Sequence, residues 1–309
     1  MLIRLLIIFF LPSLLLARES TPNPYFAFKW ANDTYFQTDH YYSNGFEFQY
    51  SHESLRIPFI DKIMPRCSDV AIEQTSFSLV HDLFTPQNKD TVGIVRDDRP
   101  FASYLLLNYT RDVRNPISRF GIRSTLTFGL LGKGSGGELV QNGIHSFIPR
   151  SGDVVGWHNQ LATDLCLNYL IEIQKELLRS SFGDVNIVGS GRLGVPYTNL
   201  DAGFRLRLGL TDDNYSHFDY QRSGDLIFYF FAESRAAVVI YDATFQGGLL
   251  NNSSPHTLSN LKNFILRSQL GLTFKYELVK LDLVAVHKTE EFSGGMQHKW
   301  FYFNFGFCF

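Results

Sequence analysis

Cysteine is scarce in this chain: Cys67, Cys166 and Cys308 are the only three in 309 residues, an odd count set far apart. That spacing supports neither a disulfide framework nor paired thiolate ligands, so the three read as packing residues. An excess of one charge is equally absent, with 28 Lys and Arg against 30 Asp and Glu and a formal net charge of −2. The electrostatic reason to expect a nucleic-acid partner is therefore missing. Beyond residue 17 no apolar run is long enough for a transmembrane helix, which takes about 20 residues. Linkers, low-complexity stretches and repeats are lacking too, so the chain reads as one domain.

What is present is aromatic alternation. The sequence closes on Lys299-Trp300-Phe301-Tyr302-Phe303-Asn304-Phe305-Gly306-Phe307-Cys308-Phe309. A period of two sends the five phenylalanines to one face of a strand and Tyr302, Asn304, Gly306 and Cys308 to the other. A strand of about 9–11 residues ending on an aromatic suits a bilayer-spanning barrel. The last core strand of a soluble β protein is the blander alternative. At the other end, Arg4 precedes Leu5-Leu6-Ile7-Ile8-Phe9-Phe10, and Leu14-Leu15-Leu16-Ala17 gives way to polar Arg18-Glu19-Ser20. This is the layout of a secretory signal peptide over 1–17, leaving 18–309 as the barrel domain. Export without a later helix-length apolar run points to the outer membrane of a Gram-negative bacterium.

Alternating or aromatic-rich runs fall at 25–31, 45–53, 74–83, 101–110, 119–131, 162–177, 182–195, 200–210, 226–245, 261–275, 279–290 and 298–309. These predict an all-β, antiparallel up-and-down transmembrane barrel of about 12 strands, an even number that returns both ends to the periplasm. With the first strand running outward, the connections at 32–44, 84–100 and 132–161 lie outside the cell, and they hold the chemically unusual residues. The inward connection at 54–73 is long for a periplasmic turn. Either it packs under the barrel or a strand is misplaced. A closed barrel has no edge that demands a partner, so a monomer is expected.

The first outer loop contains Asn32-Asp33 and Asp39-His40-Tyr41-Tyr42-Ser43-Asn44-Gly45; the third contains Gln141-Asn142-Gly143-Ile144-His145. If 136–146 is helical, Gln141 and His145 share one face, four residues apart. An imidazole is the commonest general base for activating water against an ester. Asn32 and Asp33 supply an amide and a carboxylate, hard oxygen donors suited to calcium, although an Asx-type turn leaving the strand explains them as well.

These two segments, together with Asp97-Asp98-Arg99-Pro100-Phe101-Ala102 and Gly156-Trp157-His158-Asn159-Gln160-Leu161, resemble the motifs of the lipid A 3'-O-deacylase (LpxR) family, in the same order along the chain. The resemblance implies an outer-membrane carboxylic ester hydrolase. It would remove the 3'-linked acyloxyacyl chain of lipid A, with lipopolysaccharide as substrate and the site on the extracellular side. It also implies calcium dependence with Asp33 as ligand, Asn32 aiding the oxyanion, and His145 with Gln141 in the catalytic set. Ser43 stands where the family has Thr or Ser, as a nucleophile or as a positioning hydroxyl. No nucleophile elbow surrounds it, which favours positioning.

Weaker carry-overs to substrate binding are Lys89 or Arg96, for a basic residue of the second loop, and Asp153, for an acid after the histidine. Arg99 is expected to pair with Asp97 or Asp98. His40, His158 and His256 read as solvated loop residues. Tyr35, Phe36, Tyr41 and Tyr42 suit either an acyl groove or the aromatic girdle of a barrel. An outer-membrane phospholipase-like esterase is the nearer alternative, though its serine–histidine sequence pattern is not found. A non-enzymatic channel or adhesin would need no Asn-Asp and Gln-x-x-x-His constellation at all.

Overall fold

The computed structural model describes residues 23–36, 40–66, 71–89, 91–146, 153–216, 218 and 223–309; the signal peptide expected over 1–17, Cys67, and Ser151-Gly152 ahead of Asp153 lie outside them. Twelve strands are present: β1 (Tyr25–Asn32), β2 (Tyr41–Ser51), β3 (Ile72–Thr85), β4 (Ala102–Asn115), β5 (Phe120–Leu131), β6 (Asp164–Ser180), β7 (Gly183–Gly194), β8 (Tyr197–Leu210), β9 (Ser223–Asp242), β10 (Phe264–Glu277), β11 (Val279–Lys288) and β12 (His298–Cys308). Each pairs antiparallel with its sequence neighbours, and β1 closes on β12 from Tyr25↔Cys308 to Asn32↔Phe301. Closure satisfies every ladder without an edge, the condition for crossing lipid with strands. The twelve expected strands are those observed, within a few residues. The largest difference at a strand start is β2, which begins at Tyr41 rather than 45. A bulge between Tyr42 and Asn44 breaks the alternation there and hides the start of the strand.

The period of two sorts the residues. Along β4, Tyr104, Leu106, Asn108, Thr110, Asp112 and Arg114 line the lumen, so the odd positions face outward. On β8, β9, β10 and β12 the outward set is apolar and bare: Leu200, Phe204, Phe228, Phe230, Leu270, Leu272, Phe305 and Phe307 are all exposed. This is the lipid band predicted from the terminal phenylalanines.

The lumen is polar and encloses about 660 Å³. Ion pairs brace it: Arg235 to Glu172 (2.8 Å), Arg205 to Glu233 (2.6 Å) and Arg123 to Asp112 (2.8 Å). At the periplasmic end the connection after β8 folds inward. Tyr215 and Phe218 are buried there, and Arg114 donates to the Asn214 carbonyl at 2.9 Å.

Three helices stand in connections: α1 (Pro58–Asp61), α2 (Gly137–His145) and α3 (Ala243–Gln246). Among its described residues, the long inward connection that carries α1 contains no strand, and it does not sit beneath the barrel. It rises along the outside of the wall, where Asp61 accepts from the hydroxyl of Tyr109, an outward residue of β4, at 2.7 Å.

Candidate active site

The site grows from the outer ends of β1, β2 and β3. On β1, Phe26, Phe28, Trp30 and Asn32 alternate outward, opposite to Lys29 in the lumen. Trp30 Nε1 donates to Asn44 Oδ1 at 2.9 Å, which ties the ends of β1 and β2 together on the lipid side. Asn32 donates from Nδ2 to the Ser43 carbonyl at 3.0 Å and accepts the Thr34 N–H at Oδ1 at 2.7 Å. The Asx turn and the site residue are thus one group, and since a primary amide carries two N–H donors, one remains beyond the bond to Ser43. The bulge in β2 turns Ser43 toward β3, where its hydroxyl meets Thr85 Oγ1 at 2.7 Å. Gly45 lies two residues on, where a Cβ would come within 1.9 Å of the Tyr42 hydroxyl. Tyr42 donates to Asp82 at 2.9 Å inside the lumen, so this glycine makes room for the bulge's neighbour.

Asp33 is fully buried, and its Oδ2 accepts the His40 backbone N–H at 2.8 Å. The Asp33 carboxylate, the Asn32 amide oxygen and the Ser43 hydroxyl are hard oxygen donors, the kind calcium takes. Among the described residues no group of three or more His, Cys, Asp or Glu is arranged to hold a metal. The donor types fit calcium, with Asp33 the one carboxylate among them.

The predicted helix forms as α2 and lies on the outside of the wall, against β3 and β4. Leu83, Phe101, Val154 and Trp157 make its buried apolar seat, with Val140 packed on it. Trp157 Nε1 donates to Gln141 Oε1 at 2.5 Å. The carbonyl end of Gln141 is thereby committed to holding the helix, and only its NH2 is left to present. One turn on, His145 is half-buried at the last residue of α2. Asn142 accepts the Val154 N–H at 2.9 Å, so the loop after the helix is tied back to it.

Around the wall the order is Asn32 on β1, Ser43 on β2, Thr85 on β3, then α2. Adjacent strands lie about 4.8 Å apart, so Asn32 and Thr85 are separated by roughly 10 Å of wall. The Tyr35 ring lies tilted against Phe301 with centroids 5.2 Å apart, and Phe36 is exposed beside it, giving an apolar surface next to Asn32.

Several expectations change. Tyr42 faces the lumen, and Tyr41 is buried against Phe292 and Phe245, so neither lines an outer groove. His40 is buried, 5.4 Å from the His298 ring, rather than solvated. His158 is exposed as expected, whereas His256 is half-buried and donates to the Asp98 carbonyl at 2.8 Å. Arg99 pairs with neither Asp97 nor Asp98 through its guanidinium. Asp98 takes backbone N–H groups of Gln87 and Arg99, while the guanidinium lies between Phe84 and Phe245, donates to Thr244 at 3.0 Å and faces Glu291 at 3.8 Å. Lys89 is half-buried in the second outer loop, and Arg96 and Asp153 are exposed.

Sequence reasoning gave no role to Thr85, His81, Ser103 or Ser135, and named Trp157 only as part of a motif. His81 Nε2 donates to the Ser135 carbonyl at 2.9 Å, and the Ser103 and Ser135 hydroxyls meet at 2.6 Å. A signal for them existed. His81, Thr85 and Ser103 occupy outward positions at the outer ends of β3 and β4, where an uncovered lipid band would carry Leu or Phe, which marks a stretch of wall that something covers.

A closed barrel with a bare apolar band and polar chemistry on its outer wall defines an integral outer-membrane protein. The chain belongs to the family described as outer membrane protein LpxR, whose model matches residues 2–307. The structure of LpxR from Salmonella typhimurium is similar in fold, with a TM-score of 0.75 at 20% identity, covering 92% of this chain and 100% of that one. The β domain of the Bordetella autotransporter BrkA is more distant, with a TM-score of 0.47 at 9% identity, covering 94% of this chain and 100% of that one. No curated protein matches the chain.

Proposed function

We propose that the protein is a lipid A 3'-O-deacylase, hydrolysing the ester that joins the acyloxyacyl chain to the sugar. The observation that carries this reading is the side on which the polar set stands. Asn32, Ser43, Thr85 and α2 stand on the outside of the wall near the outer ends of β1 to β3, rather than in the lumen. An outer-leaflet lipid ester can reach such a site from the side. A solute in the lumen cannot, and membership of the LpxR family agrees with a lipid A substrate.

In this mechanism His145 accepts a proton from a water molecule as the water oxygen attacks the ester carbonyl carbon. The N–H of Asn32 not used on Ser43 donates to the developing oxyanion. When the C–O bond to the sugar breaks, His145 returns the proton to the leaving oxygen, giving a free 3'-hydroxyl and the acyloxyacyl acid. Ser43, held by Thr85, orients water or substrate and forms no acyl-enzyme. Gln141 fixes α2, and hence His145, against the wall. Calcium held by Asp33 would supply Lewis-acid polarisation of the ester carbonyl.

The test is expression of the full chain in a Gram-negative host that makes hexa-acylated lipid A, followed by mass spectrometry of the extracted lipid. Loss of the 3'-acyloxyacyl mass is expected with calcium supplied, and His145→Ala should slow it by about 10²–10⁴-fold while heat-modifiable folding is unchanged. Intact lipid A from a correctly folded barrel would refute the reading, and full activity of His145→Ala would refute the base.

A further inference from the structure

The connection between β2 and β3 is built on the outside of the barrel, on the periplasmic half of the wall. Its anchor is polar and buried. Tyr109 and Arg111 face outward on β4, and Glu73 faces outward on β3. Tyr109 donates to Asp61 Oδ1 at 2.7 Å and accepts the Ile57 N–H at 3.0 Å. Arg111 donates to the Asp61 carbonyl at 3.1 Å and to both Glu73 oxygens at 2.7 Å. Arg56 bridges Asp61 and Glu73 at 3.1 and 3.2 Å. Tyr169, outward on β6, reaches the Ile63 carbonyl at 3.4 Å, so the segment crosses the outside of β3 to β6.

With its acids turned to the wall, the segment shows another face outward. Phe59 is 72% and Ile63 66% exposed, the most exposed large apolar side chains among the described residues of this connection. Lys62 and Arg66 are exposed between and beside them and pair with no carboxylate among the described residues. This face is continuous with the lipid band, since Leu79 and Leu107 stand bare just above the segment on β3 and β4. Two bare apolar side chains beside two cations that meet no carboxylate among the described residues suit an interfacial segment, with the apolar pair in the acyl region and the cations at phosphate depth.

We propose that residues 57–66 form an inner-leaflet anchor that binds anionic phospholipid: Phe59 and Ile63 insert between acyl chains, and Lys62 and Arg66 take the headgroup phosphate. The segment fixes the depth and tilt of the barrel on the side that carries α2 at the opposite rim.

The full chain is reconstituted in vesicles of phosphatidylcholine, or of phosphatidylcholine with phosphatidylglycerol, as Phe59→Trp. Brominated acyl chains should quench the added fluorescence, and iodide in the water should not. Native mass spectrometry of the wild-type barrel with the two lipids should show phosphatidylglycerol retained several-fold over phosphatidylcholine. That preference should be lost in Lys62→Ala/Arg66→Ala, whose side chains lie outside the buried anchor, with deacylation of lipid A unchanged. Three results would overturn the proposal: iodide quenching without bromine quenching, an unchanged lipid preference in the double variant, or protection of the added tryptophan only at protein concentrations that give dimers. The last would assign the face to a second copy of the chain.

Discussion

Two sectors of one wall obey opposite rules. Across β8 to β10, outward positions such as Phe204, Phe228, Leu270 and Leu272 are apolar and bare. Across β3 and β4 the outward positions read Glu73, Thr75, Phe77, Leu79, His81, Leu83 and Thr85, then Ser103, Leu105, Leu107, Tyr109, Arg111 and Val113. Only the middle of that sector, at Leu79 and Leu107, is bare. Its outer end is covered by α2 and the connection around it, and its inner end by the segment of α1. Polar residues on a lipid face are tolerated where protein replaces lipid as their surroundings, so they mark where the connections have been folded back on the wall. The outer cover carries the candidate chemistry.

The comparison breaks most severely if the cover's own neutralisation is removed. Glu73→Ala leaves Arg111, 1% exposed, with its charge facing the wall and only the Asp61 carbonyl to accept from it. Stripping one partner from a buried pair costs about 3–5 kcal/mol. Urea unfolding of the reconstituted barrel should show a loss of that order; a change under 1 kcal/mol would mean that water or lipid phosphate reaches Arg111 and that the segment is not a seal. Somewhat smaller is the reverse experiment, an arginine where no cover exists. Leu272→Arg, bare on β10, should cost about 2–4 kcal/mol near the bilayer midplane. A neutral outcome there would show that this sector, too, is shielded.

The bare sector was legible in the sequence almost strand by strand, because the lipid band imposes a period of two that bulges interrupt only near the strand ends, at Thr198–Asn199 and Lys275–Glu277. The covered sector was legible only in its motifs. Gln141 and His145 on one helix, and Asn32 beside Asp33 at a strand end, could be read from spacing and resemblance. That Asn32, Ser43 and α2 stand outside the barrel could not, since the bulge after Tyr42 shifts the parity of β2 at that point. Arg99 was misread for a related reason. Its neighbours in sequence are acids, but the chain turns its guanidinium toward α3 and the last outer loop, between two aromatic rings. The long inward connection defeated sequence reasoning because its polar residues match partners 17 to 50 positions away on strands, a relation with no local period.

A subtler way to sharpen the contrast is to loosen the outer cover without unfolding it. Trp157→Phe keeps the ring in the seat formed by Leu83, Phe101 and Val154 but deletes the indole N–H that holds Gln141. A lost buried hydrogen bond is worth about 1–3 kcal/mol, part of which appears as misplacement of His145. Deacylation should fall about tenfold, equivalent to about 1.4 kcal/mol of barrier, with folding intact. Unchanged activity would detach the position of His145 from the Gln141–Trp157 bond.

The smallest expected effect lies at the extracellular mouth, where pH separates the lumen's closure from the covers on the wall. Burial pushes the Glu291 carboxyl up, but Lys288 and Arg99 beside it outweigh that and hold it below the usual carboxylate range. A depressed folded value means that the group stabilises the fold above its unfolded pKa of about 4.3 and that this contribution is lost as the pH falls through the folded value. Wild type should therefore exceed Glu291→Gln in stability at pH 7 and converge with it in acid. Because all other carboxylates titrate in both proteins, the difference between the two urea curves isolates this group. A difference that stays constant from pH 7 into the acid range would mean that Glu291 acts by packing rather than charge, and that Arg99 is held by its aromatic sandwich and the Thr244 hydrogen bond.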